Sequence, residues 1–482
     1  MRRQLLAISS LLLALLLGAS TTAEAASKIT IVVNDGAGEG FNDPTAVAPV
    51  GGNTATTLGQ QRLIVFQKAA EIWGNLINSP VEILVRSQFD AQTCSASGAV
   101  LGSAGTLTIH RDFTNAPVAG TWYHQALANS LAGSDLDPAT PDINATFNSA
   151  LDTGCLPGTT GWYYGIEPGA PTTQIALLPV VLHELAHGLG FANFVNEATG
   201  AQQSGFPDIY SVFTFDDTTG LFWTAMNDAQ RVASAINTFN VVWTGPRVTV
   251  EAADYLGDRP ELSVTAPPAI AGDKIAQAAT FGAALTNVGL SGPVTLVNDG
   301  TGTTTDACEA MTPGSLAGTI ALIDRGTCTF IIKVKNAQDA GAIGAIIANN
   351  AASGLPGMGG TDATIIIPSL GIQQADGTAI KGQLPAPGVT ATLRTNAARL
   401  AGADTSGNVL LNAPNPVQLG SSISHFDPLT TPNTLMEPAI NVDLFRKVDL
   451  TKAQLEDIGW KVVRFADGFE WGDKTAWSTS TP

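Results

Sequence analysis

From Leu177 to Phe194 the chain reads Leu-Leu-Pro-Val-Val-Leu-His-Glu-Leu-Ala-His-Gly-Leu-Gly-Phe-Ala-Asn-Phe, and this stretch limits the possible fold most strongly. Its length and continuous apolar character suit a helix better than a strand. Pro179 fits a first helical turn, because deeper in a helix its missing N–H would cost a backbone bond. Gly188 and Gly190 are natural places for the helix to stop. Positions four apart share a helix face, so His183 and His187 point at one spot with Glu184 beside them.

That pattern is His-Glu-x-x-His. Two imidazoles on one helix face can hold a zinc ion, and the adjacent glutamate can take a proton from the water that zinc acidifies. With 5 His and 13 Glu in 482 residues, the pattern arises by accident in on the order of 0.001 chains of this composition. The bland alternative is a pair of histidines packed at a helix end. A catalytic zinc needs a third protein ligand and an open fourth position. Only His110, His124 and His425 remain to supply it.

The rest of the chain sets the frame. A length of 482 residues allows two to four domains, and 44% hydrophobic residues are enough for a folded core. A net charge of −18 without any basic run argues against nucleic acid and anionic membrane surfaces as partners. Arg2 and Arg3, the apolar stretch Leu5–Leu17 and Ala23-Glu24-Ala25 read as a signal peptide over residues 1–25, too short to anchor the chain in a membrane. Secretion follows. A strand at Ile29–Val33 starts so early that a latency plug by an N-terminal cysteine is not expected. Four cysteines in an exported chain suggest local disulfides, Cys94 with Cys155 and Cys308 with Cys328, with pairing across the two halves as the alternative.

Strand, helix and strand signals follow one another at Ile29–Val33, Gln60–Leu76, Val81–Val85 and Ile143–Phe147, an α+β opening. In the helix, Leu63, Phe66, Ala70, Trp73 and Leu76 form the apolar stripe. From about Ser263 to Leu400 the texture changes to Gly- and Ala-rich apolar runs. Leu450–Trp460 reads as a short helix, and the acidic, aromatic end from 466 to 482 as a tail. With 28 Asp there is room for calcium, yet no Asp-x-Asp-x-Asp-Gly loop occurs.

His187 and Gly190 continue the zinc pattern as His-x-x-Gly, which resembles the metzincin signature His-Glu-x-x-His-x-x-Gly-x-x-His; its last place is here Asn193, a poor zinc ligand. His425, 238 residues after His187, is followed by Met436 in Asn433-Thr434-Leu435-Met436-Glu437-Pro438. This arrangement resembles the leishmanolysin-like metzincins, in which an insertion delays the third histidine and a methionine turn follows it. The resemblance implies His183, His187 and His425 as ligands of one catalytic zinc, Glu184 as general base, Gly190 as the turn after the helix and Met436 as the methionine turn. No Tyr follows Met436, so no side chain is assigned to oxyanion stabilisation.

Within the insertion, Thr319–Ile323 reads as a buried strand, Phe330, Ile331, Val334, Ala337 and Ala340 as one helical face, and Ile343–Ala348 as another strand. The wording Ile-Ala-Leu-Ile-Asp-Arg-Gly-Thr-Cys-Thr-Phe, with Pro368-Ser-Leu-Gly-Ile and Asp376-Gly377, is similar to the protease-associated domain. Asp324 and Arg325 are either part of a peptide-binding surface or a structural turn pair.

The expected architecture is an α+β, metzincin-like catalytic domain, a twisted sheet plus active-site helix, interrupted by an α/β protease-associated domain. The catalytic parts span 26–262 and 401–465, and the insertion 263–400. The function implied is zinc-dependent endopeptidase action on protein or peptide substrates, the peptide lying as a strand along a sheet edge expected at Ile143–Phe147. Two alternatives stand beside it: a secreted binding protein whose zinc is structural, and a hydrolase of small amides. Intact Glu184 separates the first from an enzyme, because a structural site has no use for it.

Overall fold

The computed structural model describes residues 27–386 and 388–463, so the leader read over 1–25 and the tail from 466 lie outside the described residues. Its first sheet is made by β1 (Ile29–Val33), β2 (Ile83–Asp90), β3 (Gly102–Thr106) and β4 (Ile143–Asn148) in the order β1-β2-β4-β3. The first three neighbours are parallel, and β3 runs antiparallel to β4. Ile143–Phe147, expected at the sheet edge, is therefore an inner strand. The edge is β3, whose sequence Gly-Ser-Ala-Gly-Thr lacks the β-branched alternation by which a strand is recognised.

Helix α1 (Leu58–Leu76) starts at Thr57, whose side chain accepts the Gln60 N–H. Its buried stripe is rotated from the expected one: Val65, Phe66, Ala69, Ile72 and Trp73 are buried, whereas Leu63 and Leu76 are only partly so. The reason is Arg62, which faces the interior and donates to Asp152 Oδ2 at 2.9 Å, the Gly40 carbonyl at 2.8 Å and Tyr164 Oη at 3.2 Å. Those bonds offset the cost of burying its charge, so an arginine can hold a core position that apolar periodicity assigns elsewhere.

Helix α2 (Leu177–Leu189) carries the His-Glu-x-x-His segment, and all its residues are buried. Pro179 sits in its first turn. Two indoles bind its backbone, Trp73 Nε1 donating to the Leu182 carbonyl at 3.0 Å and Trp460 Nε1 to the Leu189 carbonyl at 2.8 Å. Gly188 does not stop the helix but lies inside it. A Cβ there would stand 2.5 Å from Ile143 Cγ2, so glycine lets α2 press against β4. The stop is Gly190, at a φ of +134°. Gly188→Ala is accordingly expected to destabilise the fold by about 1–3 kcal/mol through overpacking; urea unfolding midpoints equal to wild type would show that Ile143 yields without cost.

The chain then forms β5 (Thr214–Asp216), β6 (Val241–Trp243) and α3 (Pro246–Tyr255) before a closed barrel. The barrel strands are β7 (Asp258–Ala266), β8 (Gly272–Ala278), β9 (Leu290–Leu296), β10 (Ile320–Asp324), β11 (Gly344–Ala348), β12 (Ser369–Ile372) and β13 (Val389–Leu400), arranged β7-β8-β12-β11-β10-β9-β13. Helix α4 (Phe330–Asp339) is the crossover between parallel β10 and β11, and α5 (Gln374–Lys381) also packs on β11. The segment expected as an α/β unit is thus an α/β unit closed into a barrel by β7, β8, β9 and β13. Alternate residues of β10 face different cores: Ile320 and Leu322 join one, Ala321 and Ile323 join Val334 and Ala337 of α4 in a second. With both faces apolar, the run carries no alternation.

Asp258 pairs with Leu400 where β7 meets β13, so the barrel's entry and exit are neighbours. On either side of it in the chain, β6 pairs with β14 (Val409–Leu410), Trp243 opposite Val409. Helix α6 (Asp449–Asp457) is shorter than the expected Leu450–Trp460, because Trp460 leaves the helix to cap α2. Cys94–Cys155 and Cys308–Cys328 are both bonded. Among the described residues no helix is long and apolar enough to cross a membrane.

Candidate metal centre

The helical spacing of α2 brings His183 and His187 together, and the return segment after the barrel adds His425. The Nε2 atom of His183 lies 3.1 Å from that of His425 and 3.2 Å from that of His187. All three rings are buried. Each Nδ1 is held by a backbone carbonyl: His183 by Leu435 at 2.7 Å, His187 by Phe191 at 2.7 Å and His425 by Ser421 at 2.9 Å. A carbonyl only accepts, so each Nδ1 carries the proton and each Nε2 presents a lone pair. Burial disfavours the imidazolium form, moving His183 down to about 4, His187 to about 3 and His425 well below the ordinary value, with the neighbouring histidines adding to the shift for the last two.

Three lone pairs facing one point without a donor between them repel one another unless a cation lies among them. Nitrogens about 2.0–2.1 Å from one tetrahedral zinc ion stand roughly 3.3–3.4 Å apart. The observed separations come close to that, and the carbonyl partners are the outer bonds by which ligating histidines are oriented. The donor set therefore fits zinc.

Glu184 is buried beside the triad. Desolvation pushes its carboxyl up to about 8, opposed by a hydrogen bond from the Ala104 N–H. A cation at the histidines would pull it down again. Ala104 belongs to β3, so the sheet edge runs directly along α2. A Cβ on Gly102 of the same strand would lie 3.3 Å from Glu184 Cγ.

The segment bearing His425 is tied from several sides. Asn193, at the place where the metzincin signature has its third histidine, is not among the clustered nitrogens; its N–H and Nδ2 both reach Ser424 Oγ, at 3.2 and 3.1 Å. Tyr210 Oη donates to the Ile423 carbonyl at 2.8 Å, and the Asn412 N–H to the His425 carbonyl at 2.9 Å. Met436 is buried, and its carbonyl accepts the Phe426 N–H at 2.8 Å, while the preceding Leu435 holds His183. Asp449, pushed up to about 6 by burial, accepts the Leu435 N–H at 2.7 Å. The turn around Met436 thus links two of the three clustered histidines through its backbone groups. Of these tethers, two had a signal in the sequence, Asn193 as the departure from the signature and Met436 as the expected methionine turn; Tyr210, Asn412 and Asp449 had none.

The other histidines are elsewhere. His124 is buried at the start of the helix Gln125–Ala132, its ring 4.5 Å from that of Phe194, and His110 Nε2 contacts Thr108 Oγ1 at 3.4 Å. Neither joins the triad. In the barrel, Asp324 binds Thr305 and Lys381, and Arg325 binds Asn349, so both side chains have partners within the domain.

Residues 290–380 match the PA domain family, and the barrel contains that domain. No curated protein matches the chain. Among solved structures, a zinc aminopeptidase from Bacillus subtilis is 30% identical over 31% of this chain and 36% of its own, with a TM-score of 0.22. An aminopeptidase from Aneurinibacillus is 30% identical over 31% of this chain and 37% of its own, TM-score 0.21. A peptidase M28 precursor from Shewanella amazonensis is 18% identical over 45% of this chain and 51% of its own, TM-score 0.24. The chain spans well under two thirds of the length of each.

Proposed function

We propose that this protein is a secreted, zinc-dependent endopeptidase of the metzincin kind, with catalytic portions expected over 26–262 and 401–465, the first ending at 257 because the barrel's strand β7 begins at Asp258. The observation that carries the reading is the convergence of three deprotonated Nε2 atoms, each fixed by a carbonyl behind it, next to a buried glutamate. His183, His187 and His425 would hold the zinc. Zinc bound there supplies a Lewis acid that polarises the scissile carbonyl and makes water acidic enough to lose a proton near neutral pH.

The chain's own residues do the rest. Glu184 accepts the proton of the attacking water and returns it to the leaving amine. Its Ala104 bond holds the carboxylate in place between these steps. An extended peptide adds to β3, the edge strand of the first sheet that runs along α2, and this aligns a peptide bond with Glu184. Export, inferred from the leader, suits the two disulfides.

Metal analysis by mass spectrometry together with cleavage of an N-acetylated peptide tests the reading. About one zinc per chain and internal cleavage of the blocked peptide are expected. Cleavage confined to peptides with a free amino end would make the protein an aminopeptidase, and zinc without any cleavage would leave a binding protein with a structural ion. A smaller effect probes the Asn193 tether: Ser424→Ala is expected to weaken zinc binding by roughly 10-fold, the lower end for an outer-shell partner. Unchanged affinity in a competition titration with a chelator would remove Ser424 from the ligand's support.

A further inference from the structure

We propose that the barrel carries a calcium site formed by Asp299, Asp306 and Glu309, next to the Cys308–Cys328 disulfide. One carboxylate oxygen from each of the three lies within 4.8 Å of those of the other two. They sit on the loop that follows β9. Their available donors fall short of their needs. The Cys308 N–H is shared between Asp299 Oδ2 at 3.1 Å and Asp306 Oδ1 at 3.2 Å. Lys333, fully buried on α4, donates to the Asp306 carbonyl at 2.6 Å and to Cys308 Sγ at 3.2 Å, and only approaches Asp306 Oδ2 to 3.7 Å.

Asp299 is the decisive residue. It is 9% exposed, and its Oδ1 is buried with no hydrogen-bond partner. A buried carboxylate oxygen without a donor is costly, and a nearby carboxylate makes it costlier. Glu309 is that neighbour: its carboxyl is pushed up by desolvation, by the charges of Asp299 and Asp306, and by lying within hydrogen-bond reach of the Asp299 carboxylate, to which it can donate only when protonated. Three carboxylates against one ammonium leave two negative charges uncompensated. A divalent cation removes both the charge and the missing partner.

The donor chemistry selects among cations. All the donors are carboxylate oxygens, which disfavours zinc and copper. Glu309 is exposed, so water can complete an irregular shell of six to eight oxygens, as calcium accepts and magnesium does not. The ion would fasten the loop 299–309 to the disulfide and to α4, stiffening one end of the barrel. This site is independent of the histidine triad and of the peptidase reading.

Calcium titration of the zinc-loaded full-length protein by isothermal calorimetry tests it. One ion per chain is expected, with a Kd of about 10⁻⁴–10⁻³ M as in extracellular modules. Glu309→Gln, an exposed change that leaves packing intact, and Asp299→Asn are each expected to weaken binding by roughly tenfold or more, since affinity follows ligand charge, with zinc content unchanged. Absence of calcium binding in wild type at about ten times that concentration, or binding by both variants equal to wild type, would overturn the proposal.

Discussion

Glu184→Gln is expected to lower peptide cleavage by about 10²–10⁴-fold, the span attributable to a positioned general base, while the protein keeps about one zinc per chain. The amide has nearly the shape of the carboxylate and can still accept the Ala104 N–H through its oxygen. What it lacks is basicity. Because the side chain is buried beside the triad but is not one of the three converging rings, metal binding and fold should survive. Cleavage rates and metal content measured on the same preparation check this. Retained activity would show that another group takes the proton, and loss of both zinc and activity would mean that Glu184 holds the ion rather than the water.

His425→Ala has the opposite signature, loss of the metal itself. Structural zinc sites contribute roughly 10–16 kcal/mol through four ligands, or about 2.5–4 kcal/mol for each, so removing one should weaken zinc binding by about 10²–10³-fold. His183 and His187 stay in place, since α2 and their own carbonyl partners position them. The variant is therefore expected to fold, to lose zinc on dialysis against a mild chelator, and to cleave nothing. His110→Ala and His124→Ala serve as controls and should keep the ion, because neither ring is in the cluster. Zinc held by His425→Ala as tightly as by wild type would place the third ligand elsewhere and separate the two halves of the proposed catalytic unit.

What was legible in the sequence had a local cause. The helix of Leu177–Leu189 and the common face of His183 and His187 follow from helical spacing over a short apolar run. The strand-helix-strand unit of the barrel, β10, α4 and β11, was legible for the same reason, and so were both disulfides, which close loops within one region. The third histidine could be narrowed to a short list because the chain has so few.

Other features depended on partners far away in the chain. Gly188 resembled a helix stop until Ile143 was found against it. Arg62 has no place in the expected apolar stripe, and it is buried because Asp152, Gly40 and Tyr164 supply its bonds. The edge strand β3 has no pattern of its own, and it is a strand because β4 offers it a ladder. Barrel closure rests on pairings between segments far apart in the chain, β7 with β13 and β9 with β13, which no local pattern states.

The sequence by itself determined which side chains could do chemistry: two histidines and a glutamate whose spacing on a helix sets their common face. Tertiary structure alone decided that His425 meets them. No local rule spans 238 residues; the junction exists because Asp258 pairs with Leu400 and Trp243 with Val409, returning the chain to its point of departure, where Asn193, Tyr210 and Asn412 hold the segment that carries the third ring.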